Sequence, residues 1–326
     1  WGGGVMYDQA RAGFLRDVSS VVPDSYLDTV SAAAADAFTF EGQRVGLPLQ
    51  VSQVAWWYNK DLMSQAGIDV SQIKMWDDLL DAVKQIKAAG ITPICMGGKD
   101  KWPVHFVWTH LHIRNGGKGL FLESLNNGGW DRPEYIRSGE QKLELGELEP
   151  FQKGWLAATW PDQAGFFGDG KCAMAFMGNW MYGAQASNSA SGEGLADANM
   201  GMFDMPMTSG GIGDSGDTLG GINGWLFSST ASDAAVELMM HYVSLDIQKE
   251  DASNGAYIPI VKGADGSLTN PFLQQVAKNI SNSAYHQIFY DQFLGADIGR
   301  VVNDVSTDLA AGIISAEEAT QAVQEA

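Results

Sequence analysis

Residues 46–63, GLPLQVSQVAWWYNKDLM, decide the fold. Gly46 and Pro48 punctuate the start, and Val51, Val54, Trp56 and Tyr58 supply the branched and aromatic bulk that favours extended backbone. The stretch therefore reads as one buried strand that hands over abruptly to a helix. A polar pair, Ser52 and Gln53, interrupts the apolar run. Successive side chains on a strand point to opposite faces, so at least one of the two looks into a core or a cleft. A polar group there needs a partner, either elsewhere in the protein or on a ligand hydroxyl.

Outward from this stretch, strand-like and helix-like segments alternate, which predicts an α/β architecture. A helix is expected over 76–89: Trp76, Leu79, Leu80, Val83 and Ile86 line one face, Asp77 and Asp78 occupy the first turn, and Gly90 stops it. A second starts at Ser232, with Ala235, Leu238, Met239, Tyr242 and Leu245 as its apolar stripe. A third covers 298–311 and ends at Gly312. A fourth opens on a capping box, Ser315 to Glu318, and runs to the end. The Gly/Ser/Asn-rich segment 187–194 and the glycine run 210–221 are loops, the second also a hinge or domain crossing. There is no internal repeat.

With 326 residues, 45% of them hydrophobic and 18% charged, the chain can fill one large core or two of ordinary size and is not a disordered protein. Its apolar runs are too short to cross a bilayer. Trp1 and three glycines offer neither the basic start nor the apolar core of a signal peptide, so the N-terminus leaves export undecided. Acidic residues outnumber basic ones by 39 to 20, a net charge of −19. That excludes a reader of the nucleic-acid backbone, which needs a clustered positive footprint. The acidic run from Glu140 to Glu149 alternates with leucines and reads as a solvated face. Cys95 and Cys172 lie in short apolar runs, ITPICMGG and KCAMAFMG, as buried thiols; if the two strands are neighbours in an oxidising compartment, a disulfide would add on the order of 4 kcal/mol.

Catalytic and metal motifs are missing. GDSG at 213–216 sits in a glycine loop and reads as a turn. GDGK at 168–171 has the wrong spacing for a phosphate loop. His110 and His112 are spaced for a strand-borne metal pair, with no third ligand indicated. No pair of carboxyls is marked for glycoside hydrolysis. No cofactor is expected.

Tryptophan is what the chain has in excess: eleven, against nine tyrosines. Several stand beside glycine or turn residues: Trp1 before Gly2, Trp102 before Pro103, Trp130 after Gly129, Trp180 after Gly178-Asn179, and Trp225 after Asn223-Gly224. A flat apolar ring at a strand end can pack in the core or meet a ligand at a cleft rim. Pyranoses suit such rings, because they carry C–H patches on their faces and hydroxyls around the edge.

Six segments, in order, resemble the extracellular solute-binding proteins of family 1, the sugar-binding components of ABC importers akin to maltose-binding protein. They are WGGGVMYDQARAGFLRDVS, GLPLQVSQVAWWYNKDLM, MWDDLLDAVKQIKAAGITPI (with Met75 in place of the usual Thr or Ser cap), KCAMAFMGNWMYG, GGINGWLFSSTASDAAVELMMHYVS followed by AYIPIVKGA, and VVNDVSTDLAAGIISAEEATQAVQEA. The resemblance implies a two-lobed periplasmic-binding-protein type II fold. Lobe one is expected over 1–58 and 221–268, and lobe two over 59–220 and 269–326, with hinge crossings near Tyr58 and Gly220. The strand, helix and strand that open lobe one in the family precede the segment matching Trp1, so lobe one is expected to lack them.

By the same resemblance, Trp1, Ser52, Gln53, Asn223 and Trp225 contact ligand from one lobe, and Trp102, His105 and Trp180 from the other. Tyr257 and Asp297 are added as hydroxyl readers. The implied function is binding without chemistry: a monomer, periplasmic or extracellular, closes over an oligosaccharide and delivers it to an ABC permease. Two alternatives stand beside it. One is the same fold with a phosphate ester or polyamine, although Arg11, Arg44, Arg114 and Arg300 are not grouped with the tryptophans. The other is a carbohydrate-active enzyme.

Overall fold

Extended chain does form across 46–59, but as two strands, Gly46–Val51 and Val54–Asn59, parted at Ser52–Gln53. The break has a local cause. Ser52 N–H donates to the Gly221 carbonyl at 2.9 Å, and Gly221 N–H donates to Ser52 Oγ at 3.0 Å. Ser52 is thus used up by a neighbouring segment rather than by its own sheet. The handover to a helix is as abrupt as expected: the Asn59 side chain accepts from Asp61 and Leu62 N–H and caps Lys60–Gln65.

The computed structural model describes residues 1–326 and divides them into two compact units, 1–53 with 220–299 and 54–219 with 300–326. The chain crosses between units after Gln53, after Leu219 and after Gly299, so the first crossing lies ahead of Val54 and not near Tyr58. Residues 269–299, expected in the second lobe, pack in the first unit. There the Pro271–Asn282 helix buries Leu273 and Val276 and meets the Ile258–Pro259 strand, while Tyr290–Phe293 packs on the Gly4–Arg11 helix. Gly4 permits that approach, since a Cβ there would strike the Phe293 carbonyl.

In the first unit, Gly46–Val51 is the middle of a three-stranded antiparallel sheet between Ile258–Pro259 and Ile222–Leu226. Val18, Val22, Val30, Phe38, Leu47, Ile222 and Val236 form its core. Ser232 caps the Asp233–Tyr242 helix as expected. The buried stripe is nevertheless Val236, Met239, Met240 and Val243, which meet that core at i, i+3, i+4 and i+7, while Leu238 and Tyr242 turn outward, 60% and 40% exposed.

In the second unit, a four-stranded mixed sheet runs Thr92–Ile94, Cys172–Gly178, Val54–Asn59, Met200–Phe203. Trp56 and Trp57 are both fully buried in it; Trp57 Nε1–H donates to the Met177 carbonyl at 3.0 Å, and Trp56 stacks on Phe203. The Trp76–Ala88 helix buries the expected face, and the Asp78 carboxylate accepts from the Met75 N–H at 2.8 Å, the one half of a capping box that needs no oxygen on the Met75 side chain. Ser315 and Glu318 make both halves of theirs. Trp130, expected among the rim candidates, stacks on Tyr135 inside the unit. Cys95 and Cys172 lie on neighbouring backbone with Cα atoms 5.6 Å apart and are disulfide-bonded.

The glycine run 210–217 belongs to this unit and is held rather than loose. Ile212 and Gly213 N–H groups cap the Asn115 and Arg114 carbonyls, where the Trp102–Asn127 helix kinks at Gly117. The buried Arg114 guanidinium donates to the carbonyls of Met205, Asp214, Ser215 and Asp217 at 2.8–3.2 Å. A second buried cation, Lys142, lies on the packed face of Pro133–Glu147 with Tyr135, Ser138 and Leu145, while Glu140, Glu144 and Glu147 are exposed; its ammonium donates to the Val104 carbonyl at 2.9 Å.

Burial pushes Lys142 down to about 7. An unfolded chain keeps that proton to about pH 10, so between the two values the unfolded state binds more protons and stability rises with pH. Lys142→Met is expected to be more stable than the parent by roughly 1–4 kcal/mol at pH 7 and below, with the gap closing towards pH 10. Urea midpoints measure this, and a gap independent of pH would contradict it. Replacing Cys95 and Cys172 together by alanine should cost about 4 kcal/mol in the same assay, because the bond closes a long loop.

Candidate ligand-binding site

Three tryptophans of the second unit stand at helix starts. Trp102 opens Trp102–Asn127, Trp160 opens Trp160–Gly168, and Trp180 precedes Met181–Ser187 as its cap. Pro103 and Pro161 follow the first two, in a turn whose N–H groups have no intrahelical acceptor, so proline fixes the backbone there without losing a bond. Side chains in a first turn lean off the end of the helix, which directs these rings away from the packed body.

The rings meet one another. Trp102 lies 5.7 Å from Trp160 and 6.3 Å from Trp180, centroid to centroid, with planes inclined by 58° and 52°. Phe106, one turn along from Trp102, fills the angle at 5.5 Å from Trp102 and 6.4 Å from Trp180. All three indoles are partly buried, so each keeps some surface in solvent. We call this group the aromatic floor.

Each ring has a specific support. Trp180 lies directly over Gly178, where a Cβ would enter the indole. Trp160 N–H donates to Asp100 Oδ2 at 2.6 Å, and the Thr159–Asp162 capping box fixes the same turn. Trp102 follows Lys101, whose backbone is left-handed at φ 61° and whose ammonium meets Asp304 at 2.6 Å. Arg300 bonds the other oxygen of Asp304 at 3.2 Å. Hydrogen bonds from Thr159 hold the Asp162 carboxyl below its ordinary range. Lys101 and Arg300 are thus paired with Asp304, Asp100 and Asp162 accept from neighbouring backbone, and the floor itself is uncharged.

His105, expected on this surface, is fully buried with its ring 4.8 Å from Phe106. Trp160 was not among the sequence candidates, yet the signal was present: Trp160-Pro161 repeats the Trp102-Pro103 dipeptide.

In the first unit, Gly2 N–H donates to the Ile222 carbonyl at 3.0 Å, which sets Trp1, 59% exposed, beside the Ile222–Leu226 strand. Asn223 and Trp225 project from one face of that strand. Trp225 is 41% exposed with Tyr242 edge-on at 5.9 Å, and Asn223 Oδ1 is buried without a hydrogen bond. The other nominees differ. Ser52 is buried on Gly221, and Gln53 is buried at the crossing. Tyr257 donates its hydroxyl to Asp251 Oδ2 at 2.7 Å, and burial together with that carboxylate keeps the phenol protonated. Asp297 stands exposed in the first turn of Ala296–Ala310.

A profile of bacterial extracellular solute-binding proteins matches residues 5–250. An ABC transporter extracellular-binding protein of Pyrococcus horikoshii is 29% identical over 152 residues, 44% of this chain and 33% of its own length. The sn-glycerol-3-phosphate-binding periplasmic protein of Escherichia coli (strain K12) is 32% identical over 152 residues, 45% of this chain and 32% of its own. The matched part thus spans about a third of these relatives. A structure solved in work on xylan utilization by the thermophilic bacterium Caldanaerobius polysaccharolyticus superposes over 100% of this chain and 83% of its own, with TM-score 0.90 at 24% identity. The chain therefore has the fold of the two-lobed solute-binding proteins.

Gly178→Ala tests the support of the floor. The added methyl should displace the Trp180 ring, alter the near-ultraviolet circular dichroism of the coupled indoles and cost about 1–3 kcal/mol in urea. An unchanged aromatic spectrum would show that Trp180 does not rest on Gly178.

Proposed function

Because the chain belongs to the bacterial extracellular solute-binding protein family, we propose that it binds a neutral sugar, an oligosaccharide, and delivers it unaltered to the permease of an ABC importer. The observation that carries the reading is the aromatic floor: three indoles and a phenyl ring in contact, with the neighbouring Lys101 paired to Asp304. Such a surface offers stacking to C–H faces and little to an anion. Trp1, Asn223 and Trp225 are the contacts we propose for the first unit.

The relative that binds sn-glycerol 3-phosphate gives a second reading, a phosphate ester as ligand. That ligand calls for a free guanidinium or ammonium group at the site. Arg114 spends its donors on backbone carbonyls, and Lys101 beside the floor is paired with Asp304. The neutral ligand is favoured. No helix is long and apolar enough to cross a membrane, and an extracellular or periplasmic monomer that docks on a permease is the form we propose.

Intrinsic tryptophan fluorescence, titrated with mono-, di- and trisaccharides and with sn-glycerol 3-phosphate, tests this. A saturable change with one sugar class is expected, at a Kd of about 1 μM or –8 kcal/mol. Chromatography of the recovered sugar should show no cleavage. Trp180→Ala should weaken binding by roughly tenfold, the loss of about one stacked ring. Saturation by glycerol phosphate alone, or release of shorter sugars, would overturn the reading.

A further inference from the structure

We infer that Lys142 is a positioning residue for the ligand site: from inside the second unit its ammonium sets the first turn of the Trp102–Asn127 helix and, with that turn, the Trp102 ring. This rests on the sugar-binding reading above.

A lysine is a costly choice at this position. Its side chain is fully buried, and its ammonium brings three donors to a single acceptor, the Val104 carbonyl at 2.9 Å. Burying a charge without a counter-charge is unfavourable, and an apolar side chain of similar length would avoid that cost. Where a chain breaks such a rule, the position is commonly one that function requires.

The helix start that the ammonium holds lacks the usual side-chain cap. Lys101 stands at its N-cap with a left-handed backbone, φ 61°, and makes no capping hydrogen bond. Pro103 adds no N–H to the turn, and Val104 N–H returns to the Lys101 carbonyl at 2.9 Å. At the surface the turn is tied by Lys101 to Asp304. On the inner side Val104 packs in an apolar cluster with Met96 and Ala310. Apolar contacts keep the turn from lifting away but leave its rotation weakly defined. A hydrogen bond is directional, so the Lys142–Val104 bond fixes that rotation. Trp102 lies two residues before Val104, and its ring meets Phe106, Trp160 and Trp180. A turn that slips therefore carries one indole out of the group.

Calorimetric titration with maltotriose, xylotriose and cellotriose shows which binds the parent most tightly, and the variants are measured with that sugar. Lys142→Met is expected to raise the urea midpoint at pH 7 and yet weaken binding at least about fivefold, with a changed near-ultraviolet circular dichroism. Lys142→Leu, a second apolar replacement, should behave alike. A lysine that merely filled space would leave affinity and spectrum unchanged. In a Trp102→Ala background, Lys142→Met should alter affinity by less than about twofold, because its effect passes through the missing ring. Parental affinity in both folded Lys142 variants, or losses that multiply in the Trp102→Ala background, overturns the inference and leaves sugar binding intact. If the folded parent takes none of these sugars, the sugar-binding reading fails while the spectrum still tests the placement. A spectral change on Lys142→Met that vanishes in Trp102→Ala then supports it, and an unchanged spectrum overturns it.

Discussion

Ser52 and Gly221 hold two stretches of chain side by side where both leave the first unit, and the architecture depends on that contact. The serine N–H and Oγ and the glycine N–H and carbonyl are all engaged within 3.3 Å. Gly220 must be glycine for the same reason, since a Cβ would enter the Ser52 carbonyl. Without this pairing the run from Gly46 to Asn59 could continue as a single strand in one sheet. With it, the sequence is cut into a strand for each unit, and Ser52, just before the outgoing crossing, is tied to Gly221, just after the return. A hydroxyl that sequence reasoning offers to a ligand is doing the work of a backbone splice.

The same economy shows in the aromatic floor. Three rings are brought together by helix starts, an arrangement that needs no long loops. Two helices contribute their first residue and the third its N-cap, and the packed body behind fixes the angle. Proline follows two of the rings and glycine lies beneath the third, so the residue types that shape the backbone and those that carry the rings are sequence neighbours. Precision at the surface is inherited from packed secondary structure rather than from the rings themselves.

How much was legible follows from which interactions are local. Caps and periodic faces are local, and the helices after Met75 and Ser315 begin where their Asp78 and Glu318 carboxylates point back to the chain. The alternation of strands and helices could be read for the same reason, whereas Trp102 and Trp180 were singled out by family resemblance and their contact joins distant parts of the chain. The splice at Ser52 could not, because its partner is 169 residues away. Nor could the burial of His105, Tyr257 and Lys142, whose neighbours come from other elements. The Ser232 helix failed differently: its sequence contains two overlapping apolar stripes, and only the core decides that Val236, Met239, Met240 and Val243 win. Trp160 was recoverable, since it shares the Trp-Pro pair with Trp102, but a lone ring carries little signal until its partners are known.

The distribution of charge completes the argument for what the surface can recognise. The chain carries a net charge of −19, yet the two buried cations Arg114 and Lys142 face carbonyls, and Asp100 beside the floor accepts from the Trp160 backbone N–H. Long-range fields from so acidic a surface repel anions before contact, and they act weakly on neutral molecules. The floor has ring faces to offer and no charge of its own, a surface suited to stacking more than to ion pairing. The inclination of its indoles is set by Gly178, Phe106 and Asp100, residues that lie behind or between the rings and hold them in place.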